Sequence, residues 1–356
     1  MFPGSLIGRT VAFGVTNRGS NPCPEARTGM AVIIVETPLR ISFAGGGTDF
    51  KDYYETSHGS VVSTAIDKYV QVIIKKRFDA LIRVGYSRTE MVASVDEVQH
   101  DLVRESMRLV GVRQGVEIAT MSDVPSEGSG LGSSSTVTVG LLHALHAYKG
   151  ETVTAGQLAQ EACHIELDVL HRPIGKQDQY IAAYGGLCHF TFKADGSVLV
   201  DSIKIGERTQ MYLNESLMLF YTGITRKSST VLEEQTSNIY KRIPILDAMR
   251  DQSDLLAAKL KVFDRVDLGA VLQENWDHKK RLASNISNAS IDDFYKRALD
   301  AGASGCKIAG AGGGGFLLVC VSPKRRNAVR RALHDLRELP ITLACDGSKI
   351  ILNTRR

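Results

Sequence analysis

No apolar run in the 356-residue chain approaches the ~18 residues of a membrane-crossing helix, the longest lying near 316–321. This excludes a helical membrane span and indicates a soluble protein. Neither sign of charge dominates: 43 Lys and Arg stand against 39 Asp and Glu, a net charge of +4, and the basic residues are scattered rather than gathered in a stripe. A nucleic-acid partner is thereby excluded, while a small anionic ligand stays compatible. The six cysteines form no C-x-x-C pair and sit in mostly apolar neighbourhoods. That argues against structural zinc and for reduced, buried thiols in a cytoplasmic protein.

Three familiar nucleotide-binding signatures are also missing. Gly175-Lys176 continues into Gln177, with Leu170 where a P-loop needs its first glycine. Gly45-x-Gly47 and Gly128-x-Gly130 meet Phe50 and Ser133 where a dinucleotide fingerprint needs its third glycine. His171-Arg172-Pro173 has Pro where a protein-kinase catalytic loop carries Asp, so it reads as a helix stop.

The length exceeds what one core usually organises, so two domains are expected, over 30–215 and 216–356. Residues 1–29 show no strand or helix periodicity and read as a disordered extension or a mis-set start, with Met30 as the initiator. Beyond them strands are expected at 31–36, ending at Thr37-Pro38, then at 60–65, 70–77, 82–86, 116–121, 187–192 and 197–205, and later at 217–222, 304–309, 316–321 and near Ile341 and Lys349. Helices are expected at 49–57, 98–110, 133–148, 154–170, 177–184, 227–262, 267–284, 290–302 and 324–336. The class is α+β.

Glycine carries the functional signal, since 11 of 33 fall in three clusters: Gly45 to Gly47; Gly128, Gly130 and Gly132; and Gly310 with Gly312 to Gly315. Such loops bring backbone N–H groups close to an anion, most often a phosphate. The middle cluster is the most specific: Pro125-Ser126-Glu127-Gly128-Ser129-Gly130-Leu131-Gly132-Ser133-Ser134-Ser135-Thr136 leads from a strand into an apolar helix. A helix cap after a turn explains one serine and one glycine, not three of each.

This stretch resembles the ATP-binding loop of the GHMP kinases, the family of galactokinase, homoserine kinase, mevalonate kinase and phosphomevalonate kinase. Two further stretches match in the same order: Thr37-Pro38-Leu39-Arg40-Ile41-Ser42-Phe43-Ala44-Gly45-Gly46-Gly47-Thr48-Asp49 and Lys307-Ile308-Ala309-Gly310-Ala311-Gly312-Gly313-Gly314-Gly315. The first of these, with Pro173-Ile174-Gly175-Lys176-Gln177-Asp178-Gln179-Tyr180, is similar to the branch of D-glycero-D-manno-heptose 7-phosphate kinases and related sugar 1-kinases. It departs from the Gly-Glu-His-Thr-Asp of galactokinase-like members.

The resemblance implies a two-domain fold with the active site between the domains, and transfer of phosphate from ATP, with magnesium, to the anomeric hydroxyl of a heptose 7-phosphate. A fucose or hexose 1-kinase, or a catalytically dead sugar- and ATP-binding regulator, are the alternatives. It places the catalytic aspartate on Asp178 with Arg40 beside it, the nucleotide on Gly128, Ser129, Gly130, Leu131, Gly132, Ser133, Ser134 and Ser135, and magnesium on Ser134 and Glu166. Asp49, Gly45, Gly46, Gly47, Thr48, Lys176 and Arg226 are the implied substrate-binding residues; locally, Asp49 reads equally well as a helix cap and Arg226 as a surface charge. Gly312, Gly313 and Gly314 form the implied closing loop. A homodimer is compatible with the sequence.

Overall fold

A computed structural model describes residues 32–125, 128–225, 228–262 and 266–354. The expected extension, 1–29, lies outside these residues. The strands are β1 (Val32–Ala44), β2 (Gly59–Lys76), β3 (Ile82–Gly85), β4 (Thr89–Val92), β5 (Val116–Ser122), β6 (Leu187–Phe192), β7 (Val198–Ser202), β8 (Leu217–Tyr221), β9 (Ala303–Ile308), β10 (Phe316–Val321), β11 (Arg337–Leu339) and β12 (Lys349–Asn353). The helices are α1 (Lys51–Tyr54), α2 (Asp101–Val110), α3 (Ser133–Lys149), α4 (Ala155–Cys163), α5 (Gln177–Tyr184), α6 (Glu207–Ser216), α7 (Ser228–Ser237), α8 (Ile239–Val262), α9 (Leu268–Lys279), α10 (Ala289–Asp300) and α11 (Arg326–Ala332).

Two sheets organise the chain. The first runs β12-β1-β2-β5-β3-β4 and branches at the other half of β2 into β6 and β7. The branch is a consequence of the 18-residue length of β2, whose beginning pairs with β6 and whose end pairs with β5 while β1 covers both. The second sheet is β11-β8-β10-β9. Each has its own apolar core, one around β1, β2 and α3, the other around β8 to β10 with Trp276 fully buried. Helix α3 lies on β1 and β2 and buries 12 of its 17 residues, as its apolar sequence requires.

Several expectations are corrected. Pro38 does not end β1: the strand passes through it, and the register with β2 shifts between Pro38 and Leu39. A bulge tolerates the missing N–H that a central ladder position would not. The two strands expected at 60–65 and 70–77 are one, because the same bulge absorbs the polar Asp67 and Lys68. The helix expected at 154–170 ends as α4 and continues as a π-helical turn, His164–Val169. The long helix expected at 227–262 is two helices, α7 and α8, and α6 stands where none was expected. Finally, β12 pairs with β1. The expected 216–356 segment therefore returns to the first sheet at its end.

Candidate active site

The middle glycine cluster and α3 build one wall of a cavity between the sheets. Gly132 starts α3 in a left-handed conformation (φ +81°) and supplies no side-chain cap. The first-turn N–H groups over Ser133, Ser134 and Ser135 therefore get no side-chain acceptor from the cap position, at the positive end of the helix dipole. All three serines line the cavity with Gly128, Ser129 and Gly130. Leu131 does not; it is fully buried, and its carbonyl accepts the Arg40 backbone N–H at 3.1 Å.

Arg40, on β1, is the hinge of the site. Its Nε and Nη2 donate to Oδ1 and Oδ2 of Asp178, each at 2.8 Å, and its Nη1 donates to the Gly130 carbonyl at 2.6 Å. Asp178 stands in the first turn of α5. The middle glycine loop abuts this pair closely: a Cβ on Gly132 would lie 3.3 Å from Asp178 Oδ2 and 3.3 Å from the Arg40 side chain.

Asp49 does not cap α1, whose cap position is Phe50. Its Oδ1 accepts the Gly47 N–H at 2.9 Å and its Oδ2 the Gln177 N–H at 3.2 Å, so it ties the first glycine loop to the start of α5. Burial raises its pKa, the Gln177 N–H opposes that, and Asp178 adds to it. Gly175 packs onto this carboxylate, where a Cβ would be 2.0 Å from Oδ2.

Glu166 sits in the π-helical turn, fully buried. It accepts from Ser134 Oγ at 3.0 Å and from Gln179 Nε2 at 2.7 Å. Burial raises its pKa, opposed by Ser135, Arg172 and Gln179. Next to the turn, His171 takes a positive φ of 50°, and Arg172 folds back so that its N–H reaches the Glu166 carbonyl at 2.8 Å. The Arg172 guanidinium donates to Ser134 Oγ, to Glu166 at 3.3 Å and to Asp101 at 2.9 Å. Ser134 and Glu166 form a pair of oxygen donors beside the middle glycine loop, the donor chemistry a magnesium ion selects when substrate phosphates complete its shell.

Other implied residues lie elsewhere. Gly46 and Gly47 line the cavity, but Gly45 is pressed on the Ser60 carbonyl, 2.2 Å from where its Cβ would be. The Thr48 hydroxyl is consumed by the Ser60 backbone, at 2.8 and 3.0 Å. Gly312 and Gly313 pack on Ile286 and Gly314 on Ile224; of this loop, Gly310 and Ala311 are the residues that line the cavity. Lys176 points into an adjoining cavity of about 1010 Å³, donating to the Gly196 carbonyl at 2.8 Å and covering the Tyr54 ring at 4.7 Å. Arg226 lies outside the described residues. Sequence reasoning missed Lys279 of α9, which lines the cavity and whose pKa burial, reinforced by Arg40, pushes down to about 8. A lone lysine among charged helix residues carries no signal of this.

The fold and this site define a two-domain phosphotransferase. The chain matches the GHMP kinases N terminal domain over residues 95–186 and the GHMP kinases C terminal domain over 256–338. It belongs to the GHMP kinases and is an ATP-dependent phosphotransferase. It is 29% identical over 320 residues to the D-glycero-alpha-D-manno-heptose 7-phosphate kinase of Campylobacter jejuni, covering 86% of this chain and 94% of that one. With the L-fucokinase/L-fucose-1-P guanylyltransferase of Bacteroides fragilis it shares 26% over 363 residues, 90% of this chain and 38% of the other. The crystal structure of a D-glycero-D-manno-heptose 1-phosphate kinase from Bacteroides thetaiotaomicron superposes with a TM-score of 0.73 at 25% identity, covering 90% of this chain and 99% of that one. Among the described residues no helix is long and apolar enough to cross a membrane.

Proposed function

We propose that the chain transfers the γ-phosphoryl group of ATP to the anomeric hydroxyl of D-glycero-D-manno-heptose 7-phosphate, giving the 1,7-bisphosphate. The observation that carries this reading is the abutment of the Arg40–Asp178 pair on Gly132, the residue from which α3 begins without a side-chain cap. A carboxylate able to take a hydroxyl proton there adjoins an anion-binding helix end. Similarity to the Campylobacter heptose kinase over most of both chains supports the acceptor.

In this reading Asp178 accepts the hydroxyl proton while the sugar oxygen bonds to the γ-phosphorus and the bond to ADP breaks. Arg40, permanently charged, fixes the carboxylate and cannot itself relay the proton. Asp49 keeps lone pairs for the sugar hydroxyls beyond the two backbone N–H groups it already accepts. The first turn of α3 binds the donor phosphates. Ser134 and Glu166 would hold magnesium, which when bound offsets the charge of those phosphates. The cavity containing Lys176 shares Asp49, Phe50, Arg172 and Ile174 with the first and gives room for the distal phosphate of the acceptor. The reaction belongs in the cytoplasm, where ATP and a heptose phosphate are both available.

The fucokinase relative favours a second reading, a 1-kinase for a sugar without a distal phosphate. ADP release over a panel of heptose 7-phosphate, mannose, fucose and galactose separates the two. Turnover restricted to fucose would replace the heptose, and silence on every sugar with ATP and sugar still bound would favour a non-catalytic regulator.

A further inference from the structure

One buried cation has no part in the steps above. Lys279, at the end of α9, is 7% exposed and lines the same cavity as Arg40, Asp49 and Asp178. Its Nζ donates to the Gly310 carbonyl and, among the described residues, to no other acceptor. An ammonium has three N–H groups, so two are left unused at the cavity. Keeping a charge there is costly when an apolar side chain of similar size would pack as well.

Two contacts place this ammonium at the seam of the site. A Cβ on Gly46, in the first glycine loop, would lie 4.0 Å from Nζ. Gly310, whose carbonyl the lysine holds, is stacked on the phosphate loop, where its own Cβ would be 2.5 Å from the Gly130 carbonyl. Nζ therefore lies between the proposed acceptor loop and the loop stacked on the proposed donor loop. Arg40 has every guanidinium nitrogen engaged by Asp178 or Gly130. The charged groups around Lys279 are Arg40 from β1, Asp49 from the loop after it, Asp178 from α5 and Lys307 from β9.

We propose that Lys279 is a catalytic residue that binds the γ-phosphoryl group during its transfer, an inference that rests on the kinase reading but not on which sugar accepts the phosphate. As the oxygen–phosphorus bond to the acceptor forms and the one to ADP breaks, the ammonium stays protonated and donates to a non-bridging phosphoryl oxygen. The hydroxyl proton goes to Asp178. The charge that burial makes costly in the free protein is then matched by the group that carries negative charge in the reaction.

Calorimetry with magnesium and either ADP or the β,γ-imido analogue of ATP tests this on the full chain and on Lys279→Met. Expected is ADP affinity within about twofold of wild type, analogue affinity reduced about tenfold or more, and kcat on the active sugar reduced about 100-fold. An unchanged analogue-to-ADP ratio in the variant would overturn the proposal. Should Lys279→Met not fold, Lys279→Arg keeps it testable: its kcat/KM profile is expected to lose an alkaline limb present in wild type, and an unaltered limb overturns the assignment. The binding measurements need no sugar. A wild type silent on all sugars therefore counts against the heptose reading, and a wild-type-like ratio counts against Lys279.

Discussion

Arg40 holds both carboxylate oxygens of Asp178 at 2.8 Å and reaches the Gly130 carbonyl with its remaining nitrogen. One nearly buried side chain thus couples β1, the start of α5 and the middle glycine loop. Because the two bonds are parallel, the carboxylate plane is fixed and not merely its charge.

Replacing Arg40 by Lys keeps the charge but removes the fork. A point ammonium cannot meet both Asp178 oxygens and the Gly130 carbonyl together, so kcat is expected to fall about 10- to 100-fold with the affinity for ADP little changed. Steady-state kinetics alongside ADP titration checks this. A variant with wild-type kcat would show that the orientation of Asp178 does not limit the reaction.

Gly175→Ala is expected to act through Asp49, whose Oδ2 lies 2.0 Å from the Cβ position the substitution would fill. The carboxylate must move off the Gln177 N–H. KM for the sugar should rise about tenfold or more while ADP affinity holds, since the loss falls on acceptor contacts. Equal losses for both ligands would mean that the loop itself has collapsed.

Lys279 sets a pH dependence with a definite sign. Its folded pKa is about 8 against an ordinary 10.5, so below pH 8 both folded and unfolded chains carry the proton and the full cost of burying it is present. Between those values the unfolded chain binds more protons, and stability from this group rises with pH. Lys279→Met should therefore be the more stable protein at pH 7, by about 1–3 kcal/mol, with the gap closing towards pH 10. Denaturant unfolding at the two pH values checks it. In wild type, kcat/KM should decline above about pH 8 as the free enzyme loses this proton.

Glu166→Gln should raise the magnesium concentration needed for half-maximal activity about 10- to 100-fold, and chelation should abolish turnover of wild type. Magnesium titration of ADP release is the readout. Unaltered magnesium dependence would remove Glu166 from the metal site.

Much of the fold was legible because periodicity carried it. Helix α5 and strands β6 and β10 fall where their apolar patterns place them, at 177–184, 187–192 and 316–321. The departures in the first sheet come from long-range strand pairing, which no local pattern encodes. Pro38 looked terminal until β2 offered a bulge opposite it, and β12 pairs with β1, more than 300 residues away in sequence. In the site, Arg40, Asp178 and Ser134 lay in recognisable motifs and Glu166 on the helix expected at 154–170; the fold pairs Arg40 with Asp178 and Ser134 with Glu166. Thr48 and Gly312 to Gly314 lay in the same motifs but serve backbone packing. Lys279 reaches the site through helix packing, which no local pattern announces, and the positive-φ turn at His171 that brings in Arg172 is equally silent in the sequence, although Arg172 itself stood out as a basic residue near Asp178.

The most direct test of the central claim is ADP release with ATP and magnesium on D-glycero-D-manno-heptose 7-phosphate, wild type against Asp178→Asn. Turnover by wild type, reduced about 10²- to 10⁴-fold in the variant with both ligands still bound, is the expected result. Undiminished turnover in Asp178→Asn, or none in wild type on this sugar, would contradict it.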